Sequence, residues 1–154
     1  KTNTDLISKS RKVNNEMPIK CVKDSLKFYK SMSKKRLKKV TILGLGFRGD
    51  VTDTRLSPTY SVVKEFLKHN LKVSVHDPYV TFDPNLPKGV LLTTNLNKAL
   101  EKTNLIFIST DHKVYSKLSN SILKNSNQHV IIFDGRNILD ISKFKKSIIK
   151  TIGK

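Results

Sequence analysis

The chain has 154 residues, enough for one ordinary domain with an appendage, and 37% of them are hydrophobic, enough for a core. No apolar run approaches the roughly 18 to 20 residues of a membrane span. The opening KTNTDLISKSRK lacks the apolar centre of a signal peptide, and the single cysteine, Cys21, excludes an internal disulfide. Cytoplasm is the expected compartment. The net charge of +18, from 30 Lys and Arg against 12 Asp and Glu, raises nucleic acid, anionic membrane and anionic small ligands as partners. The basic residues are scattered, however, and the 7% of aromatic residues do not interleave with them as on a stacking surface. The reading is a solvated lysine-rich surface with room for an anionic small-molecule site, and no nucleic acid or membrane partner.

In chain order, residues 4 to 32 carry Leu6, Ile7, Val13, Met17, Val22 and Leu26 at helical spacings. Pro18 predicts a kink there, or two helices meeting. The lysine cluster SKKRLKK (33 to 39) follows, and from residue 39 the texture changes to alternating strands and helices. VTILGL (40 to 45) reads as a buried strand. PTYSVVKEFLKHN (58 to 70) reads as an amphipathic helix capped by Ser57, with Thr59, Val62, Val63, Phe66 and Leu67 on one face and a stop at Asn70. KVSVHD (72 to 77) is the second strand, VLLTT (90 to 94) the third, LIFIST (105 to 110) the fourth and HVIIFD (129 to 134) the fifth. Helices are predicted at 96 to 103, 113 to 125 and, closing the chain, 140 to 152, the last burying Ile141, Phe144, Ile148 and Ile149. Together these predict an α/β, Rossmann-like, doubly wound parallel sheet of about five strands in the order 3-2-1-4-5, preceded by a long connector helix. Residues 1–33 form the connector and residues 34–154 the domain.

That strand order places a ligand crevice where the carboxyl ends of strands one, four and five meet. ILGLGFRGDV (42 to 51) contains Gly44, Gly46 and Gly49 in a G-x-G-x-x-G pattern, which in a dinucleotide site opens directly into a helix. Here the helix signals at Ser57 and Pro58 come eight and nine residues after Gly49, and the acidic Asp77 lies 28 residues beyond it. Both are the wrong context for NAD on the glycine backbone. Arg48 instead projects from the end of strand one, and FDGRNILD places Arg136 at the end of strand five, with Thr110, Asp111 and His112 between them. Two guanidiniums at one crevice suit phosphate oxygens. The alternative is that Arg48 and Arg136 pair with Asp50, Asp53, Asp111 or Asp134 as structural ion pairs.

GLGFRGDVTDTRLSP, VHDPYV, TDH and FDGRNILD, in this order and spacing, resemble the C-terminal domain of the UDP-glucose/GDP-mannose dehydrogenase family. SRKVNNEMP resembles the end of the helix that links the central domain of those enzymes to the last one. The resemblance implies NAD-dependent oxidation of a nucleotide sugar at its C6 hydroxymethyl, to a carboxylate, by two hydride transfers through a cysteine thiohemiacetal and thioester. It implies a UDP-sugar substrate, an N-terminal NAD domain and a central domain that makes a homodimer. By the same resemblance Phe47 and Arg48 meet the substrate, Arg136 the UDP moiety, and Arg55 lies towards the cofactor. A loop ion pair of Arg55 with Asp53 or Asp50 is the other reading of that residue.

The 154 residues hold neither a second glycine-rich strand–helix unit for NAD nor the family's glycine-rich segment with its nucleophile. No catalytic residue is therefore expected in this chain, and the fragment alone is expected to be inactive. Cys21, in PIKCVKD, reads as a small helix-packing residue, and His112 as a structural hydrogen-bonding partner. The four dispersed histidines and one cysteine show no metal-ligand spacing. A chain that opens at KTNTD, with no methionine before Met17, points to truncation. The alternative function is a stand-alone nucleotide-binding or regulatory module on the same fold, without catalysis.

Overall fold

A computed structural model describes residues 5–120, 122–127, 129–144 and 147–153. Residues 1–4 of the connector, residue 121 of the helix expected at 113 to 125, and residues 145 and 146 of the closing helix lie outside the described residues. The regular elements are α1 (Asp5–Met32), β1 (Lys39–Leu43), α2 (Thr59–Lys68), β2 (Lys72–His76), β3 (Leu91–Thr93), α3 (Leu96–Leu100), β4 (Leu105–Ile108), β5 (Ile131–Asp134) and β6 (Ile148–Thr151). All strands run parallel, in the order β3-β2-β1-β4-β5-β6. The first five follow the expected order, and β6 extends the sheet by one.

The central strands read as continuous apolar runs because both faces of the sheet are covered. Alternate residues feed two cores. Val40 and Ile42 join Val62, Val63 and Phe66 of α2, Val22 and Tyr29 of α1, and Phe107 and Phe133. Leu43 joins Ile106, Ile108, Ile132, Leu100 and Tyr115 on the other face. Phe107 stacks on Phe133 at 5.2 Å and meets the edge of Phe66 at 5.5 Å. Truncating the fully buried Phe66 to alanine would cost about 3–5 kcal/mol and unseat α2 from the sheet.

α1 runs through Pro18 as one helix of 28 residues, not as two helices meeting there. Proline removes the amide that would bond the Asn14 carbonyl, and Asn14 is exposed, where water supplies a donor. Only the second half of α1 packs, through Val22, Ser25 and Tyr29; residues 5–16 are exposed. No helix among the described residues is long and apolar enough to cross a membrane.

Two expected helices are corrected by the structure. The segment at 113 to 125 forms two 3-10 turns, Lys113–Lys117 and Ile122–Asn125. The closing helix at 140 to 152 is replaced by a 3-10 turn, Ile141–Lys143, and by β6. Ile141, expected inside, is 53% exposed. The β-branched residues Ile148, Ile149 and Thr151 suit a pleated surface, and they pair with Ile131, Ile132 and Asp134 along an edge that β5 would otherwise leave open.

Candidate functional site

The glycine loop leaves β1 at Gly44, whose φ of 95° and contact with Thr110 leave no room for a Cβ atom. The amides of residues 44 to 47, 49 and 50 are then satisfied from within the protein. Gly44 N–H donates to the His76 carbonyl at 2.7 Å and Phe47 N–H to the Asp53 carbonyl at 2.8 Å. Leu45 and Gly46 both donate to Asp77 Oδ2, at 2.7 and 3.0 Å. Gly49 donates to Asp111 Oδ1 at 3.0 Å, and Asp50 to His112 Nδ1 at 2.9 Å. α2 begins only at Thr59. A pyrophosphate laid on this backbone would meet two carboxylates and no helix N-terminus, so the loop does not fit NAD.

Asp77 is the buried hub of this arrangement. Oδ1 accepts from Tyr79 and Val80 N–H at 2.9 and 3.2 Å, and Oδ2 also accepts from His112 Nε2 at 3.0 Å. Burial alone would raise its carboxyl, but the His112 hydrogen bond and the backbone donors hold it down at about 2. His112 is fully buried, and its two bonds define its tautomer: Nε2 carries the proton given to Asp77, and Nδ1 accepts from Asp50. The hydrogen-bonding role expected of His112 is the one it fills.

Above this hub lies an open crevice of about 520 Å³ lined by Phe47, Arg48, Gly49, Asp50, Asp111, Lys113 and Arg136. Both arginines are exposed. The Arg48 guanidinium lies 6.0 Å from the centre of the Phe47 ring. Arg136 follows Gly135, and its Nε donates to the Ser109 carbonyl at the end of β4, 2.6 Å away.

The four carboxylates that compete for these arginines are engaged elsewhere. Asp50 Oδ1 accepts from Lys113 N–H at 3.1 Å, and Oδ2 lies 3.6 Å from Lys113 Nζ. Asp53 pairs with Arg55 and Asp111 takes the Gly49 amide. Asp134 closes its own turn on the amides of Arg136, Ile138 and Leu139. Among the described residues no carboxylate lies within ion-pair distance of Arg48 or Arg136.

Arg55 stands apart from this crevice. It binds Asp53 through Nε at 2.9 Å and Nη2 at 2.8 Å, and those bonds hold the Asp53 carboxyl at about 2. This is the loop ion pair that the sequence allows. Cys21 is half-buried in α1 against the core, and burial pushes its thiol up, away from the reactive thiolate. Among the described residues no group of three or more His, Cys, Asp or Glu is placed to hold a metal. Lys113 is the crevice residue that the sequence did not single out, and Asp50, weighed only as an ion-pair partner of the arginines, pairs with it instead. The order β1-β4 brings the residues after each strand together, and that adjacency was the available signal.

Residues 41–141 match the UDP binding domain of the UDP-glucose/GDP-mannose dehydrogenase family. The chain is 30% identical over 151 residues to a UDP-N-acetyl-D-mannosamine dehydrogenase of Methanocaldococcus jannaschii, covering 96% of this chain and 33% of that protein. It is 30% identical to UDP-glucose 6-dehydrogenase 4 of Arabidopsis thaliana, covering 76% of this chain and 30% of that one. The crystal structure of an NDP-N-acetyl-D-galactosaminuronic acid dehydrogenase from Methanosarcina mazei superposes with a TM-score of 0.85 at 27% identity, covering 100% of this chain and 33% of that chain. The chain thus spans about a third of the length of the relatives it matches.

Proposed function

Because the chain belongs to the UDP-glucose/GDP-mannose dehydrogenase family, as its UDP binding domain, we propose that it grips the diphosphate of a UDP-sugar between Arg48 and Arg136. One observation carries this reading: two exposed guanidiniums line one crevice, and among the described residues neither has a carboxylate partner. Paired guanidiniums match two phosphate groups in charge and in donor geometry. Phe47, 44% exposed beside them, offers an apolar wall to the base or sugar.

In the whole protein this domain, residues 34–154, would present the UDP-sugar to a cytoplasmic NAD-dependent 6-dehydrogenase that oxidises the sugar C6 hydroxymethyl to a carboxylate. Residues 1–33 would be the end of a central dimerisation domain, and a homodimer is the proposed assembly. UDP-glucose, UDP-N-acetylglucosamine and UDP-N-acetylmannosamine are the candidate substrates. NAD supplies the hydride acceptor, and it is assigned to parts of the protein outside this chain because the glycine loop has its amides occupied. Arg55, 87% exposed on the same loop, is proposed to face that cofactor side. Within this chain the work is binding and orientation, and no residue of it is proposed to take part in the hydride transfers.

Calorimetric titration of the purified chain separates these parts. UDP and the UDP-sugars should bind saturably, NAD should not at the same concentrations, and no NADH should form from any UDP-sugar. A folded parent that binds no UDP would overturn the proposal.

A further inference from the structure

The turn that follows β4 is fastened to the glycine loop by three reciprocal bonds between adjacent residues. Asp111 Oδ1 takes the Gly49 amide, His112 Nδ1 takes the Asp50 amide, and the Lys113 amide donates back to Asp50 Oδ1, at 3.0, 2.9 and 3.1 Å. Arg48 immediately precedes the fastened residues. Asp50 carries a φ of 59°, a left-handed conformation uncommon for non-glycine residues, although aspartate is among those that adopt it most readily. Here both its amide and its side chain are held by the turn. The middle bond is the least exposed of the three. His112 is completely enclosed, with the ring centres of Tyr79 and Tyr115 each 5.4 Å away, and Asp77 fixes its far nitrogen.

We propose that His112 is a positioning residue for substrate: its Nδ1 holds the Asp50 amide and so sets the direction in which Arg48 enters the crevice. The proposal rests on the diphosphate reading given above. The mechanism is pre-organisation. Arg48 is exposed and among the described residues has no ion-pair partner to orient it, so the loop's backbone direction determines where its guanidinium starts. A loop fixed before binding does not have to be ordered by the ligand. Asp77 has a supporting part. By accepting the hydrogen bond from Nε2–H it leaves Nδ1 as the acceptor, much as a carboxylate fixes an imidazole tautomer in other settings.

The two ends of the imidazole can be tested separately. An asparagine oxygen falls near the position of Nδ1, whereas a glutamine amide reaches the position of Nε2. His112→Asn should therefore keep an acceptor for Asp50 and stay within about 3-fold of the parent in UDP affinity. His112→Gln and His112→Phe should lose about 10-fold, the worth of one hydrogen bond. Circular dichroism reports whether each variant is folded. Hydrogen exchange at the Asp50 amide, measured without ligand, should be slow in the parent and in His112→Asn and fast in the other two.

Equal UDP affinity in all three folded variants overturns the proposal, as does a loss in His112→Asn equal to that in His112→Phe. Rapid exchange at Asp50 in the parent overturns it even if no variant folds. Failure of the diphosphate reading looks different: the parent then binds no UDP, while the exchange pattern at Asp50 still follows the variants.

Discussion

Arg136 Nε donates to the Ser109 carbonyl at 2.6 Å, which ties the turn after β5 to the end of β4. With Nε committed, only the paired Nη edge of the guanidinium remains to meet a ligand. Arg136→Ala should weaken UDP binding on the order of 10- to 100-fold with an unchanged circular dichroism spectrum, since a hydrogen bond to a charged group contributes roughly 1.5–3 kcal/mol. Arg136→Lys should not restore the parent affinity, because one ammonium cannot both hold the carbonyl and present a fork. Arg48→Ala should resemble Arg136→Ala and Arg48→Lys should be milder. Titration of UDP into the four variants checks the ranking.

The Asp77 carboxyl sits at about 2, against an ordinary value of 3.8. A depressed carboxyl contributes stability that is fully present above its unfolded value and is lost as pH falls through its folded value. Asp77 should thus contribute about 2 kcal/mol above pH ~4 and lose it between about pH 4 and pH 2. The stability gap between the parent and Asp77→Asn, from urea unfolding, should be widest near neutrality and should close across that window.

Gly44 combines a φ of 95° with a neighbour, Thr110, that a Cβ atom would overlap. Gly44→Ala should therefore destabilise the domain by roughly 2–4 kcal/mol, more than conformational freedom alone explains. Gly89 has φ 87° but open space around it, so Gly89→Ala should cost only about 1 kcal/mol. Thermal melts should separate the two by several degrees, at about 2–4 °C per kcal/mol.

Leu6, Ile7 and Val13 are 78%, 57% and 60% exposed on the unpacked half of α1. Apolar residues presented together in this way favour self-association. Light scattering at tens of micromolar should give a mass above the 17.5 kDa of one chain, and Leu6→Gln with Ile7→Gln should return it to the monomer. A monomeric parent would count against this use of the segment.

The five strands from β1 to β5 were legible because each is a short β-branched run between turn signals. The order followed from right-handed crossovers, and with it the meeting of Arg48 and Arg136. The closing segment was not legible. Ile141, Phe144, Ile148 and Ile149 satisfy a helical period, and only the open edge of β5, a non-local fact, makes a strand the better partner. Tyr115 and Leu118, three residues apart and both buried, likewise suit a 3-10 turn as well as an α-helix. Asp77 and His112 were each visible, but their bond joins residues 35 positions apart across two loops, and no local pattern encodes it.

The inward-facing amides of the glycine loop have a consequence for how this site can be lost. Recognition by backbone donors is nearly indifferent to side-chain replacement, so a dinucleotide loop of that kind survives most substitutions around it. Here the donors are spent on Asp77, Asp111 and His112, and on the diphosphate reading proposed above affinity would be delegated to two exposed side chains outside the two apolar cores. On that reading the site would be erasable. A single substitution at residue 48 or 136 would weaken binding by roughly 10- to 100-fold without changing the fold. A homologue that keeps every glycine but lacks both arginines would be expected to lose the diphosphate.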